Sequence, residues 1–340
     1  MKKLLNTLYV LTPGSYLFCR NETVCVQVGD AEKVSVPAVS IEAIVCFGKM
    51  TVSTPLIGFC AERGISLVFL TEHGQFLARV EGPVSGNILL RKRQYESLHE
   101  PVFVTTFVRD LLMAKLRNSK CVLLRAARTA QEEDSAPLYH AAERLGEQAQ
   151  ALTRADAVDT MRGIEGAAAV TYFSCFDQML GAGCPFRFEI RSRRPPRNEV
   201  NAVLSFGYTL LCREVRSAME AVGLDPAAGY LHTLRPGRPS FALDLMEELR
   251  GPLCDRFVLT LFHRKQLSPA HFEKDEEAAF LNEKGRRTVL SPWQKRKEET
   301  ILHPFLDEKI PIGLIPYAQA MLFARVLRGD LDRYPPFVWR

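Results

Sequence analysis

Over the first ~85 residues, apolar and polar positions alternate or gather into short runs closed by turn residues. Leu8-Tyr-Val-Leu-Thr12 leads into Pro13-Gly14-Ser15, Thr23–Val28 alternates and stops at Gly29-Asp30, and Ile41–Phe47 is one continuous apolar run. Such segments predict β-strands. One helix interrupts them: Thr54 is placed to cap it, Pro55 falls at its first helical position and Gly64 ends it. Ile65–Leu70 and Gln75–Val80 then predict a hairpin across Glu72-His73-Gly74. From about Ser85 the apolar spacing becomes helical, with few turn signals. Helices are expected over Leu89–Leu98, Val102–Arg128, Leu138–Leu152, Ala155–Leu180 and Val200–Val222, and through most of the C-terminal part. The expected class is α+β: a small N-terminal β domain (residues 1–85) and a larger all-α C-terminal domain (86–340). The boundary is placed between Gly82-Pro83 and Asn87.

Composition narrows the function classes. A chain of 340 residues, 47% hydrophobic and 24% charged, has the makeup of two globular domains with real cores. It holds no apolar stretch of membrane-spanning length, so no membrane partner is expected. Met1-Lys-Lys-Leu-Leu-Asn-Thr lacks the features of a signal peptide. Nine scattered cysteines with no C-x-x-C pair speak against zinc and against a disulfide framework, and fit a reducing cytoplasm.

Net charge is only +5, but it is concentrated. Arg187, Arg191, Arg193, Arg194 and Arg197 crowd one segment, six basic residues fall between Lys284 and Lys297, and Arg109, Lys115, Arg117, Lys120, Arg125 and Arg128 share one expected helix. Clustered guanidiniums suit bidentate phosphate contacts, and the pattern fits a polyanion partner.

The candidate chemistry lies in two segments. Arg162-Gly-Ile-Glu165-Gly-Ala-Ala-Ala-Val-Thr places a carboxylate among small residues, where it either pairs with Arg162 one turn earlier or belongs to a site. Downstream, Gly229-Tyr-Leu-His232 leads through Arg235-Pro-Gly-Arg238 to Asp244, Glu247 and Glu248. These acids, at i, i+3 and i+4, are expected to project to one side of a helix. Glu248 reads as solvated, Asp244 as a first-turn acid or a ligand, and Glu247 as a ligand if that face meets Glu165 and His232. Carboxylates with an imidazole suit Mg²⁺ or Mn²⁺ and phosphoester chemistry, with Arg235 and Arg238 holding the phosphate. Two other readings stay open: a non-catalytic nucleic-acid scaffold whose acids are structural partners of arginines, and a general metal-dependent nuclease acting on branched DNA.

Taken in order, the segments resemble the CRISPR spacer-acquisition integrase/endonuclease family, CRISPR-associated protein one. Thr54–Leu70, Arg162-Gly-Ile-Glu165-Gly, Asn201-Ala-Val-Leu-Ser-Phe-Gly-Tyr208, Gly229-Tyr-Leu-His232 and Leu243–Arg250 carry the resemblance, which spans essentially the whole chain. The tail Leu327-Arg-Gly-Asp-Leu-Asp-Arg-Tyr-Pro-Pro-Phe-Val-Trp339 looks like the version found with type I-C systems. The resemblance implies a cytoplasmic homodimer, joined through its N-terminal domain, that acts on double-stranded DNA. It implies assembly with CRISPR-associated protein two, with a CRISPR-associated exonuclease as a further partner. It also implies a metal held by Glu165, His232 and Glu247, with Asp244 in support, and insertion of foreign DNA fragments into a repeat array by 3′-hydroxyl attack. Asn198 departs from the Asp that many relatives carry at that position.

Overall fold

The computed structural model describes residues 6–29, 31–72, 76–80, 82, 88–181, 183–275 and 278–339. The expected turn at His73-Gly74 and the stretch 83–87 lie outside them. The chain divides into two compact units: Met1–Ser85 with Leu281–Arg287, and Gly86–Phe280 with Thr288–Arg340. No helix among the described residues is long and apolar enough to cross a membrane.

The first unit contains β1 (Asn6–Val10), β2 (Tyr16–Arg20), β3 (Thr23–Val28), β4 (Ala31–Pro37), β5 (Ile41–Phe47), β6 (Thr51–Val52), α1 (Thr54–Arg63), β7 (Ser66–Leu70) and β8 (Phe76–Val80). They form two four-stranded sheets, ordered β1-β5-β7-β8 and β4-β3-β2-β6. The apolar run β5 lies inside its sheet, parallel to β1 and β7, with Ile44, Val45 and Cys46 fully buried. A strand covered on both faces has no polar side to show, so it reads as a continuous apolar run. A parallel pair needs a crossover, and α1 lies in the β5–β7 connection. Leu56 and Cys60 of α1 join Leu17, Val24, Ile44 and Leu67 in a core fed by both sheets.

Ser53, not Thr54, caps α1: its hydroxyl accepts the Leu56 N–H at 3.3 Å. Gly64, at φ 66°, closes the helix in the left-handed conformation that glycine adopts without strain. β2, β4 and β6 carry mixed or charged residues and are held by pairing with neighbours, which the sequence pattern did not announce.

The second unit runs α2 (Ile88–Ser97), α3 (Pro101–Ala127), α4 (Glu132–Thr153), α5 (Val158–Ser174), α6 (Phe176–Leu180), α7 (Glu199–Val222), α8 (Ser240–Leu245), α9 (Glu247–Leu249), a wider π-type turn at Arg250–Asp255, α10 (Arg256–His263), α11 (Glu283–Glu298, counted here from Thr288) and α12 (Ile315–Leu327). The helix expected over Ala155–Leu180 is broken at Cys175 into α5 and α6. The unit is mostly helical rather than all-helical: β9 (Phe272–Lys274) with β10 (Ala279–Leu281), and β11 (Thr300–Leu302) with β12 (Lys309–Pro311), make small two-stranded ribbons. Three-residue strands are too short to leave a periodic signal.

The spine is α3, about 40 Å long at 1.5 Å per residue. Its Phe107 is ringed by Tyr230, Phe241, Phe323 and Tyr334, with centroids 5.2, 6.1, 4.8 and 5.2 Å away in edge-on geometry. That aromatic cluster ties α3, the loop before α8, α12 and the C-terminal tail into one core. Asn198 has a plain role: its side chain caps α7 by accepting the Asn201 N–H at 2.9 Å. A carboxylate can do the same, so the departure from Asp leaves the cap intact.

Glu248, expected to be solvated, is fully buried. Its carboxylate accepts from Tyr334 Oη at 2.7 Å, Gln319 Nε2 at 2.8 Å and the Phe337 N–H at 2.8 Å, stitching α9 to α12 and the tail. Removing it strands three buried donors. Glu248→Ala is therefore expected to cost about 3 kcal/mol or more in chemical denaturation; a loss under about 0.5 kcal/mol contradicts the assignment.

Candidate metal and phosphate site

The site is built in the second unit from α3, α5, the loop ahead of α8, and α9. The loop comes first because its geometry is the tightest. A Cβ on Gly229 would sit 2.6 Å from Ser240 Cβ and 2.8 Å from Ser240 C, so only glycine lets the chain pass there. The next three residues turn their N–H groups inward onto Asp244. Its Oδ2 accepts from Tyr230 N at 2.6 Å and Leu231 N at 2.9 Å, and its Oδ1 accepts from His232 N at 2.9 Å. Asp244 Oδ1 also lies 2.6 Å from His232 Nδ1.

A buried carboxylate facing Nδ1 makes that nitrogen the donor, so in the neutral imidazole the lone pair lies on Nε2. Asp244 thus orients the imidazole rather than sharing the ligand role or acting on a helix dipole. Arg162 holds the same loop from α5, its Nε donating to Leu231 O at 2.7 Å while its guanidinium pairs with Asp159.

The acids do not share one face. α8 ends at Leu245, and the chain rewinds through α9 into the wider turn. Asp244 reaches back to the loop, Glu248 reaches to the tail, and Glu247 reaches Lys115 of α3. There Lys115 Nζ sits between two carboxylates, bonded to Glu165 Oε1 and 2.6 Å from Glu247 Oε2. Glu247 Oε1 in turn meets Arg250 at 2.9 Å. Glu165 therefore takes Lys115 as its partner, not Arg162.

Burial alone would raise the Glu247 carboxyl, but the positive charges of Arg250 and Lys115, with His232, hold it well below the usual carboxylate range. A cleft of about 30 Å³ adjoins this group, lined in part by Arg193, Tyr208 and Asp255 as well as Lys115, Glu165, Glu247 and Arg250. Burial pushes Asp255 up to about 6, opposed by donors from Tyr208 Oη at 2.6 Å and Tyr172 Oη at 3.0 Å and by Arg250 and Arg191 nearby.

The candidate phosphate arginines separate into groups. Arg193 lines the cleft, and Arg194 is exposed; neither has a side-chain partner among the described residues. Arg235 and Arg238 lie on the turn after His232, with Arg235 exposed, and also lack side-chain partners among the described residues. Arg187 is exposed and pairs with Asp177 at 3.5 Å. Arg191 is turned inward, donating to Asn201 Oδ1 at 2.8 Å and Ser205 Oγ at 3.1 Å and lying over the Tyr208 ring.

Lys115 and Asp255 carry no site signal of their own in the sequence, and Tyr208 and Arg250 stand only as ends of segments that carry the family resemblance. Lys115 stood only as one of six basic residues on a long helix.

Among the described residues, no three His, Cys, Asp or Glu side chains are gathered into a ready metal-holding group. The donor chemistry nevertheless fits a hard divalent cation: two carboxylates already share one positive charge, and Asp244 occupies Nδ1 of the imidazole and leaves Nε2 as the ring nitrogen for a ligand. Glu247 Oε2 is buried, and its contact with Lys115 lacks hydrogen-bond geometry, so an acceptor lone pair there is unspent. Asp244→Asn replaces an acceptor with a donor facing backbone N–H groups. It is expected to cost about 1–3 kcal/mol of stability and to erase the single-tautomer ¹⁵N signature of His232; an unchanged tautomer would refute the orienting role.

Comparisons with known proteins place the chain in a family. A family model described as CRISPR associated protein Cas1 matches residues 8–295. The CRISPR-associated endonuclease Cas1 1 of Chlorobaculum tepidum is 47% identical over 343 residues, covering 100% of both chains. Among solved structures, the CAS1 protein TM1797 of Thermotoga maritima superposes with a TM-score of 0.83 at 24% identity, covering 96% of this chain and 97% of that one. A chain of a Cas6-RT-Cas1--Cas2 complex does so with a TM-score of 0.85 at 19% identity, covering 100% of this chain and 36% of that one. At those identities the structural likenesses speak for the fold, while the sequence matches speak for the lineage. The chain belongs to the Cas1 family of CRISPR-associated endonucleases.

Proposed function

We propose that this Cas1 endonuclease works in CRISPR adaptation as an integrase, joining the 3′-hydroxyl ends of short foreign DNA fragments to phosphodiesters of a repeat array. The observation that carries the reading is the arrangement around Glu247: two carboxylates drawn to one cation, in the same unit as an imidazole whose Nδ1 is fixed by Asp244.

In the reaction a 3′-oxygen attacks phosphorus, the P–O bond to the displaced strand breaks, and the proton lost by the attacking hydroxyl is matched by one gained on the departing oxygen. Mg²⁺ or Mn²⁺, held by Glu165, His232 Nε2 and Glu247, would supply Lewis acidity toward the phosphoryl oxygens and lower the pKa of the attacking hydroxyl. Asp244 keeps the imidazole in its ligand tautomer. Arg235, Arg238 and Arg193 bind the phosphates on either side, and Arg250 holds Glu247 ionised and in place.

The wider assignments belong to the same reading. They are a homodimer joined through the N-terminal unit, a complex with Cas2, an exonuclease partner, a type I-C setting and a cytoplasmic location. With Glu165→Ala or His232→Ala, strand transfer into a repeat-bearing duplex is expected to fall at least ~100-fold in the presence of metal, while duplex binding persists. Wild-type transfer by both variants would overturn the site.

One observation favours a second reading. Glu165 and Glu247 already have cationic partners in Lys115 and Arg250, as the acids of a non-catalytic nucleic-acid scaffold would. Thermal shift separates the two. Under the catalytic reading, Mn²⁺ at a hundred times its Kd adds about 2.7 kcal/mol to stability, and Glu247→Ala abolishes that gain. Under the scaffold reading, neither protein responds to metal.

A further inference from the structure

We infer that Lys115 is a built-in competitor for the metal: its ammonium holds the site together in the metal-free protein and must leave for a divalent cation to bind. The inference rests on the metal reading proposed above and concerns what that reading requires of this chain's own residues.

Glu247 is almost wholly buried, and both of its carboxylate oxygens face a cation, Oε1 meeting Arg250 at 2.9 Å and Oε2 meeting Lys115 at 2.6 Å. Neither oxygen is clear of a positive charge, so a metal arriving at coordination distance displaces one of the two side chains.

The two differ in how firmly they are held. Arg250 sits three residues from Glu247 on the same stretch of chain, and its guanidinium lies over the Tyr208 ring, 5.1 Å from the centroid. Guanidinium on an aromatic face is a stacked, planar contact that a small shift destroys. Lys115 reaches in from α3 on a flexible four-carbon stem, and Glu165 and Glu247 are its only partners among the described residues. Moving it breaks only contacts with the two groups that the metal would itself contact. Lys115 is therefore the side chain that gives way.

Charge points the same way. Lys115, Arg250, Glu165 and Glu247 sum to zero, so a divalent ion added with all four in place would leave a net double positive charge in a largely buried site. With the ammonium swung away, the added charge at the carboxylates is halved. In the metal-free protein the same ammonium stops two neighbouring carboxylates from repelling each other. It keeps Glu165 of α5 and Glu247 of α9 at a spacing one cation can bridge. The cost is a weaker apparent metal affinity, because each binding event includes breaking two ion pairs.

Removing a competitor tightens binding, whereas removing a merely structural side chain loosens it, so the sign of the change decides the matter. Full-length wild-type protein, Lys115→Met and Lys115→Arg are titrated with Mn²⁺ alone, following free Mn²⁺ by electron paramagnetic resonance. Lys115→Met is expected to bind Mn²⁺ about 10-fold more tightly, a modest share of the strength of a buried ion pair, and to melt lower without metal but with a larger metal-induced rise in Tm. Lys115→Arg, which keeps the charge, should bind no more tightly than wild type.

Equal or weaker Mn²⁺ binding by Lys115→Met overturns the inference while leaving the metal site standing. Absence of binding in all three proteins overturns the metal reading instead. Should Lys115→Met fail to fold, amine labelling of wild type decides: Lys115 should react faster in saturating Mg²⁺ than without it, and an equal or slower rate refutes displacement.

Discussion

Three carboxylates buried within one short stretch of chain, Asp244, Glu247 and Glu248, set the organisation of the helical unit around them. An ionised group in a protein interior costs several kcal/mol unless partners replace its water. Each of the three meets that requirement differently, and each solution recruits a different part of the chain. Asp244 gathers three successive backbone N–H groups and an imidazole, which bends the preceding loop around it. Glu247 takes cations from α3 and from its own stretch. Glu248 takes neutral donors from α12 and the tail.

The neighbouring glutamates show how environment separates like groups. Both are buried, and burial raises both carboxyls. For Glu247 the nearby positive charges win, and the group stays ionised. For Glu248, hydrogen bonds from Tyr334, Gln319 and the Phe337 N–H oppose burial without overcoming it, and its pKa rises to about 7. One residue is thereby kept as an anion able to attract a metal or an ammonium, while the next serves as a tether. The short, broken helices from Ser240 to Asp255 make the division workable, because a regular helix would not send three nearby acids to three separate destinations. π-type turns of this kind recur at functional sites.

Membership of the Cas1 family places this stretch in context. An endonuclease of DNA needs a concentrated positive charge near a polyanion and a pair of acids that can tolerate it. Under the proposed function, Lys115 and Arg250 inside, with Arg193 at the cleft and Arg235 and Arg238 on the turn, would provide the first in graded exposure. Glu165 and Glu247 would provide the second. The Phe107 aromatic cluster joins α3, which carries Lys115, to the His232 loop and α8.

Elements with local signals were legible along the chain. β3 and β5 begin and end where alternation and the apolar run end, and α7 covers the expected Val200–Val222, because such elements are set by neighbours within a few residues. The same reading singled out Glu165, His232 and Glu247 as chemistry worth testing. Whatever depends on distant partners emerged only once the chain was packed. The strands β2, β4 and β6 exist through pairing, Glu248 is buried by a tail from the far end of the chain, and Asp244 works through the backbone of residues 230–232. Lys115 acquires its meaning from a glutamate fifty positions away and another farther still. A charge pattern along a chain states which ions are present; which of them meet is settled by packing, because ion pairs form across space at a few ångströms and leave no period in the sequence.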